Sequence, residues 1–531
     1  MYRDLLTVIA ALSILSAAAQ PILYKDISSG PTTSSYNFTG HKFFKASDNR
    51  IYFGARDSSS GPENLCYIDV DDKFHVLFRV GTNDYGYFDQ FAEAGGEVFF
   101  AFGTNETGVE LWKTDGTESG TVQVKDIEPG LSASNPVNLV SFHDKVYFTT
   151  SSGNVYVSDG TESGTIAISS SVTVSELIVA GNNLYANGSN ATNGNELFKL
   201  NSAETDLVLV EDIVAGSEGS NPHLLSVFGS GLVFEAKAGT VDRPYFTDGT
   251  SAGTVQLSDS VEMVNVGVEF NDDFYFFGHT NIPMSANGLY KTDGVSSSVT
   301  EVVPGVDYDV ILADEDNIYF SGQIYSDRGV YISDGTQAGT VKLVNAQFSD
   351  AQAANLFNYI GSALYNGKLY FIGDSSSSGG PRAELYVSDG TPEGTVVYDI
   401  DPNRDDAGYN FCYFIEREGA VFMTLQDSAH GLEPWCFDCT PDNGSVNQVV
   451  RISQESTIHV FPNPTREFVT LTSDYSIECV KLMDLHGQTI QEQAVFANEL
   501  IMNVRSLPSG VYILSVGMLD GRIKTSRLIV D

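Results

Sequence analysis

At 531 residues, with 42% hydrophobic and 18% charged residues, the chain is long enough for several domains with proper cores and too apolar to be disordered. Its 32 Phe, 26 Tyr and 50 Gly favour strands and tight turns over helices. A net charge of −41 repels nucleic acid and anionic membranes, which excludes both as partners, and it attracts divalent cations.

The N-terminus reads as a secretory leader over residues 1–19. Arg3 is followed by the apolar run Leu5 to Leu15 and then by Ser16-Ala17-Ala18-Ala19-Gln20. Small residues at Ala17 and Ala19 fit an A-x-A cleavage rule, which places the cut before Gln20. The apolar run is too short to span a membrane stably, and no second long apolar segment follows, so no transmembrane helix is expected.

From Gln20 to Ser453 the chain repeats itself. A phrase Glu-Leu-aromatic-x-Thr/Ser-Asp-Gly-Thr-x-x-Gly-Thr recurs, with full DGTxxGT cores starting at Asp115, Asp159, Asp248, Asp334 and Asp389. Degenerate copies fall at Asp69, Asn201, Asp293 and Asp438, and the nine anchors lie 46, 44, 42, 47, 45, 41, 55 and 49 residues apart. Before each anchor sits a strand such as Val146–Thr149, and after it another such as Thr121–Ile127. Four strands of about six residues with loops of about five account for the period.

Four-stranded units at this spacing predict a multi-bladed β-propeller of eight to nine blades. Separate β-sandwiches need more residues than each unit offers. The segment Ile22-Leu23-Tyr24-Lys25-Asp26-Ile27 matches the last strand of a unit and is expected to complete the final blade. These phrases resemble the ELWxSDGTxxGT, or hyalin-like, repeats of secreted bacterial proteins. That resemblance implies an extracellular repeat domain and carries no established activity with it.

The recurring Asp-Gly-Thr looks catalytic only when one copy is read alone. An acid present in nearly every unit is better read as turn chemistry, with Asp accepting backbone N–H groups and Gly supplying positive φ. Asp399, Asp401, Asn403 and Asp405 space oxygen ligands at alternate positions, as a structural calcium loop does, although Arg404 stands where an EF-hand has glycine. No other cofactor is implied. No zinc, Walker, dinucleotide or G-x-S-x-G pattern appears, and His430, Glu433 and Trp435 form only a local cluster. The sequons headed by Asn37, Asn105, Asn187, Asn190 and Asn443 read as incidental. Of five cysteines, Cys66, Cys412, Cys436 and Cys439 lie in the first and last units. An oxidising compartment favours a disulfide joining Cys66 to one of the other three.

After the linker 454–457, residues 458–531 change character. They carry six Lys or Arg against eight Asp or Glu, a balance of −2, which leaves −39 for the chain before them. About seven short strands, with turns at Pro-Asn-Pro, His-Gly and Pro-Ser-Gly, read as a small Ig-like β-sandwich. This segment closely resembles the type A C-terminal sorting domain of the type-nine secretion system of Bacteroidetes. The matching residues are Pro462, Asn463 and Pro464, then Asp484 and Gly487, then Leu507, Pro508, Gly510 and Tyr512, and the last strand from Lys524. The resemblance implies passage through the periplasm to the outer surface or beyond, with the secretion machinery as partner.

Two functions follow as expectations. One is a non-enzymatic binding or adhesion propeller with an extracellular glycan or protein ligand. The other is a secreted polysaccharide hydrolase or lyase on the same scaffold. Repeat spacing is least regular over 374–439, which marks that stretch as the expected place for a site.

Overall fold

The repeat phrase marks the turn between the third and fourth strands of an antiparallel sheet. The second copy shows the pattern: Tyr85–Ala94, Glu97–Thr104, Gly108–Thr114 and Val122–Lys125 pair in chain order, with Phe100 opposite Trp112 and Lys113 opposite Val122. The computed structural model describes residues 21–28, 43–56, 62–81, 85–169, 171–280, 287–325, 327–348, 362–374, 383–398, 413–427, 429–439, 459–461, 465–483, 489–505, 507–518 and 523–530. No helix occurs among them, and none is long and apolar enough to cross a membrane. The chain divides into two units, residues 1–396 with 400–449, and residues 450–531 with 397–399.

Among the described residues nine sheets follow one another ahead of the C-terminal one, at residues 44–78, 85–125, 137–169, 173–209, 223–256, 261–304, 306–344, 347–398 and 414–437. Each packs on the next through side chains of both faces. Phe100 and Phe102 of the second sheet lie on Tyr52 and Leu65 of the first, and Phe320 of the seventh lies on Phe277 of the sixth. Second strands are covered on both sides, so Ile51–Arg56 and Glu97–Thr104 are buried almost throughout. The first strands of successive sheets lie against one another, which makes them the innermost.

The ring closes where the sequence expected it to. Ile22 pairs with Cys436 and Leu23 with Trp435, so the N-terminal strand becomes the fourth strand of the ninth sheet. Tyr24 is fully buried and meets the Phe422 ring edge-on at 5.4 Å. The ninth sheet then packs on the first through Phe422, Leu432 and Cys436 against Ile51, Phe53 and Ile68. The arrangement is a β-propeller, with nine blades among the described residues.

One correction concerns the cysteines. Cys436 is bonded to Cys439, with Cα atoms 6.0 Å apart, and neither is bonded to Cys66. Cys436 is next to last in the strand Gly431–Phe437 and Cys439 follows two residues after it, so the local partner is in reach first. Cys412 lies outside the described residues. The closing seam is held by Arg417, which donates to the Ile68 and Asp69 carbonyls and pairs with Asp72, and by Lys45–Glu416 at 2.9 Å.

The DGT turn also latches neighbouring blades. Gly249 sits at φ +86 in the fifth blade, and a Cβ built there falls 2.7 Å from the Tyr185 hydroxyl of the fourth. Gly335 meets the Tyr275 hydroxyl of the sixth blade in the same way. At these two seams strand aromatic and turn glycine recur together because they touch. Gly249→Ala is expected to lose roughly 1–3 kcal/mol through strain and clash, read as a lower midpoint in denaturant melts; an unchanged midpoint refutes the latch.

The second unit has five described strands where seven short ones were expected: His459–Phe461, Phe468–Met483, Thr489–Asn503, Gly510–Met518 and Ile523–Val530. Phe468–Met483 is one long strand with register shifts inside it. Its first half pairs with Val460 and Leu500, and its second half with Gln493 and Leu514. Val469, Leu471, Leu482, Leu514 and Leu528 fill the core between the two halves.

Candidate functional site

The repeated aspartates are occupied locally. Asp115 Oδ1 accepts from the Thr117 amide at 2.8 Å and the Thr117 hydroxyl at 2.6 Å, and that hydroxyl accepts from Gly120 N at 3.0 Å. The Thr114 and Thr121 hydroxyls then close the turn at 2.9 Å. Asp159, Asp248, Asp334 and Asp389 repeat the same contacts at 2.7–2.9 Å. The threonine hydroxyl holds Asp115, Asp159, Asp248 and Asp334 below the usual carboxylate range, so they stay ionised at neutral pH. Such groups are poor proton shuttles.

The glutamate of the Glu-Leu-aromatic phrase has a different task. Glu110 is fully buried and accepts from the amides of Ile127, Glu128 and Ser134 at 3.1, 3.3 and 3.0 Å, in the segment leading to the next blade. Glu196 does the same for Val214 and Ser220. Burial raises the pKa of both, and the serine hydroxyls offset part of the rise. Glu433 accepts from Ile27 and Ser28 at 3.1 and 3.3 Å. It treats the N-terminal segment just as Glu110 treats its own blade.

The local cluster His430, Glu433 and Trp435 therefore divides three ways. Glu433 serves ring closure, Trp435 is core, and His430 Nδ1 lies 2.7 Å from Asp427 Oδ2 in the hairpin between them.

A departure from the repeat appears elsewhere, between the fifth and sixth blades. Arg243 stands five residues before Asp248, where Glu110, Glu196, Glu384 and Glu433 precede their anchors. It is 5% exposed, donates to the Asp259 and Asp242 carbonyls, and pairs with Glu262 at 3.0 Å. His279 Nε2 lies 3.9 Å from the other Glu262 oxygen, and the two residues sit opposite each other on adjacent strands. Glu235, opposite His223 and Pro244, is fully buried. Its Oε2 accepts from Met263 N at 3.0 Å, and its Oε1 has no hydrogen-bond partner. Burial pushes its pKa up to about 9, with Asp242 and Glu262 adding to the rise.

Local structure places this group. The first strand of the sixth sheet is split into Val261–Met263 and Val268–Phe270, both paired with Asp273–Thr280, and the split carries Glu262 and Met263 N to the seam. His223, Glu235, Arg243, Glu262 and His279 lie toward the end of the ring opposite the DGT turns. They gather a fixed cation, a paired carboxylate and two partly exposed imidazoles. The stretch 374–439, where the sequence places a site, lies partly outside the described residues. The usable signal was the Arg at a Glu position of the repeat.

Other expected site residues fall outside the described ones: Asp399, Asp401, Asn403 and Asp405 of the acidic loop, Ala17, Ala19 and Gln20 at the cleavage point, and Pro462, Asn463, Pro464, Asp484 and Gly487 of the C-terminal motifs. Among the described residues no three His, Cys, Asp or Glu side chains are placed to hold a metal ion.

The remaining C-terminal motif residues converge. Tyr512 donates to the Pro508 carbonyl at 2.7 Å, Gly510 pairs with Val530, and Thr465 bridges Val530 from its other side. Leu507 packs on the core. The segment before Gly510, the one after the Pro-Asn-Pro run and the final strand from Ile523 through Lys524 to Val530 thus meet around the end of the chain.

Residues 459–531 match the family of secretion system C-terminal sorting domains. The protein is thus an extracellular β protein exported by the type-nine secretion system to the cell surface or beyond. A curated relative, the ulvan lyase NLR42 of Nonlabens ulvanivorans, is 26% identical over 174 residues, which span 31% of this chain and 30% of the relative. Similar solved structures include the designed protein Ika8, at 10% identity over 77% of this chain and 99% of that one, with a TM-score of 0.37. Another is PorZ, a surface component of the type-IX secretion system of Porphyromonas gingivalis. It is 11% identical over 96% and 99% of the chains, with a TM-score of 0.22.

Proposed function

We propose that the nine-bladed ring is a binding domain carried to the outer face of the cell, where it holds an extracellular ligand, a glycan foremost, without transforming it. The observation that supports this is the commitment of the repeated acids. The five DGT aspartates close their own turns, and Glu110, Glu196 and Glu433 tie down backbone. The unrepeated polar group between the fifth and sixth blades is left as the recognition surface, with Glu262, His223 and His279 facing the ligand. Binding needs no cofactor; a calcium ion at Asp399, Asp401, Asn403 and Asp405 serves only to brace that loop.

A second reading, cleavage of an acidic polysaccharide by elimination, draws on the likeness to an ulvan lyase and on an Arg beside two imidazoles. One experiment separates the two. The secreted protein is applied to arrayed polysaccharides, and any retained polymer is then incubated with it in solution. Binding is expected to weaken roughly tenfold, about 1.4 kcal/mol, in Glu262→Ala, with polymer length unchanged. Shortened chains with unsaturated ends transfer the assignment to a lyase. Retention that is equal in wild type and variant removes this group as the site.

A further inference from the structure

Arg243 holds Glu262 by a single oxygen. Its Nη1 donates to Glu262 Oε1 at 3.0 Å and to the Asp242 carbonyl at 2.7 Å, and its Nε donates to the Asp259 carbonyl at 3.0 Å. The guanidinium is nearly buried, so its charge is committed inside the protein. The other oxygen, Glu262 Oε2, faces His279 Nε2 at 3.9 Å, and the two side chains are 23% and 35% exposed. Glu262 and His279 stand directly opposite each other on adjacent strands, so the backbone fixes their spacing.

At 3.9 Å the two groups are beyond direct hydrogen-bond reach, but one oxygen about 2.8 Å from each spans them. Beside a carboxylate the imidazole presents Nε2–H, so that oxygen has to accept from His279 and donate to Glu262. A hydroxyl does both. A carboxylate or sulfate ester only accepts, and its charge meets that of Glu262; a methoxy oxygen also only accepts. His223 adds a further acceptor, because its Nδ1–H donates to the Asn221 carbonyl at 3.1 Å and leaves Nε2 with a lone pair. The surrounding field has the same preference. Burial is the main reason Glu235 keeps its proton, and the charges of Asp242 and Glu262 add to it while Arg243 takes part away. The chain before residue 458 carries −39, which repels polyanions before contact.

We infer that His279 and Glu262 form a hydroxyl clamp, and that the ligand of this surface is an uncharged glycan held by a free sugar hydroxyl bridging the two. Polymers bearing uronate or sulfate are turned away. The inference rests on the reading of this group as the recognition surface, and it names the chemistry recognised there. Arg243 is a positioning residue: by fixing Oε1 of Glu262 it aims Oε2 at His279.

The test applies the full secreted protein to immobilised laminarin, xylan and mannan, to the same three polymers with methylated hydroxyls, and to alginate and dextran sulfate. Wild type is expected to hold at least one of the uncharged polymers ~10-fold more tightly than its methylated form or either acidic polymer. Glu262→Gln removes the anion and leaves Arg243 without its partner, so binding of the uncharged polymer should fall roughly 10-fold while binding of the acidic ones rises. His279→Ala removes the donor at a partly exposed position and should weaken the uncharged polymer by a similar factor, with an unchanged melting midpoint. A methylated polymer held as tightly as its parent overturns the clamp, as does a wild-type preference for alginate or dextran sulfate. In either case, loss of binding in Glu262→Ala still upholds the group as a binding surface. If no polymer is retained, or if Glu262→Ala and His279→Ala both bind as wild type does, the recognition surface and the clamp fall together.

Discussion

Deleting residues 458–531 should leave a protein that loses its leader normally and accumulates in the periplasm. The C-terminal unit matches the sorting-domain family and has its own core of Val469, Leu471, Leu482, Leu514 and Leu528. The strands that close the ring, from Ile22–Leu23 to Gly431–Phe437, all precede the deleted segment, so the truncated ring should remain folded. Export is expected to fall to the level seen in cells without the type-nine machinery, while protease resistance of the ring stays that of the full chain. Fusing 458–531 to a periplasmic reporter should carry the reporter out. Normal amounts of the truncated protein at the surface or in the medium would show that the domain is not the address.

The second large effect concerns Glu235. Its folded pKa of about 9 lies well above the unfolded value of 4.5, because burial disfavours the anion and Asp242 and Glu262 repel it. Between those values the folded chain keeps a proton that the unfolded chain has released. This group therefore costs stability progressively as pH rises from about 4.5 to about 9, and costs nothing below that window. At ~1.4 kcal/mol per pH unit, the cost at pH 7 is about 3 kcal/mol. Glu235→Gln keeps an oxygen for Met263 N and removes the ionisation, so the variant should melt higher at pH 7–9 and like wild type near pH 4. Arg243, Glu262, His279 and His223 are untouched, and their contribution to the pH profile cancels in the comparison. Parallel pH profiles for the two proteins would show that Glu235 does not carry this penalty.

Much of the architecture was legible because it is written locally and repeatedly. The period of about 46 residues, the turn chemistry of Asp115 and its copies, and the likeness of Ile22–Ile27 to a fourth strand are patterns of neighbours in the chain. The C-terminal address was legible for the same reason, as short motifs in a fixed order. The split first strand of the sixth blade was not, since Val264–Gly267 offers no Pro or run of Gly to mark a break. The stretch to 55 residues before Asp389 falls partly within 349–361, between two strands that pair with the same neighbour.

By itself, then, the sequence determined the class of fold, the repeat unit, the strand able to close it and the module that exports it. Tertiary structure decided the partner of each group. It set Glu433 on Ile27 and Ser28 across more than 400 residues, Cys436 on Cys439, and Glu235 beside Arg243 and Glu262. The physical reason is that periodic strands and turns are stabilised by contacts close in sequence, which a repeat displays many times over. A buried carboxylate takes its meaning from whichever amide, cation or anion the neighbouring blade brings to it, and that neighbour is chosen only when the ring assembles.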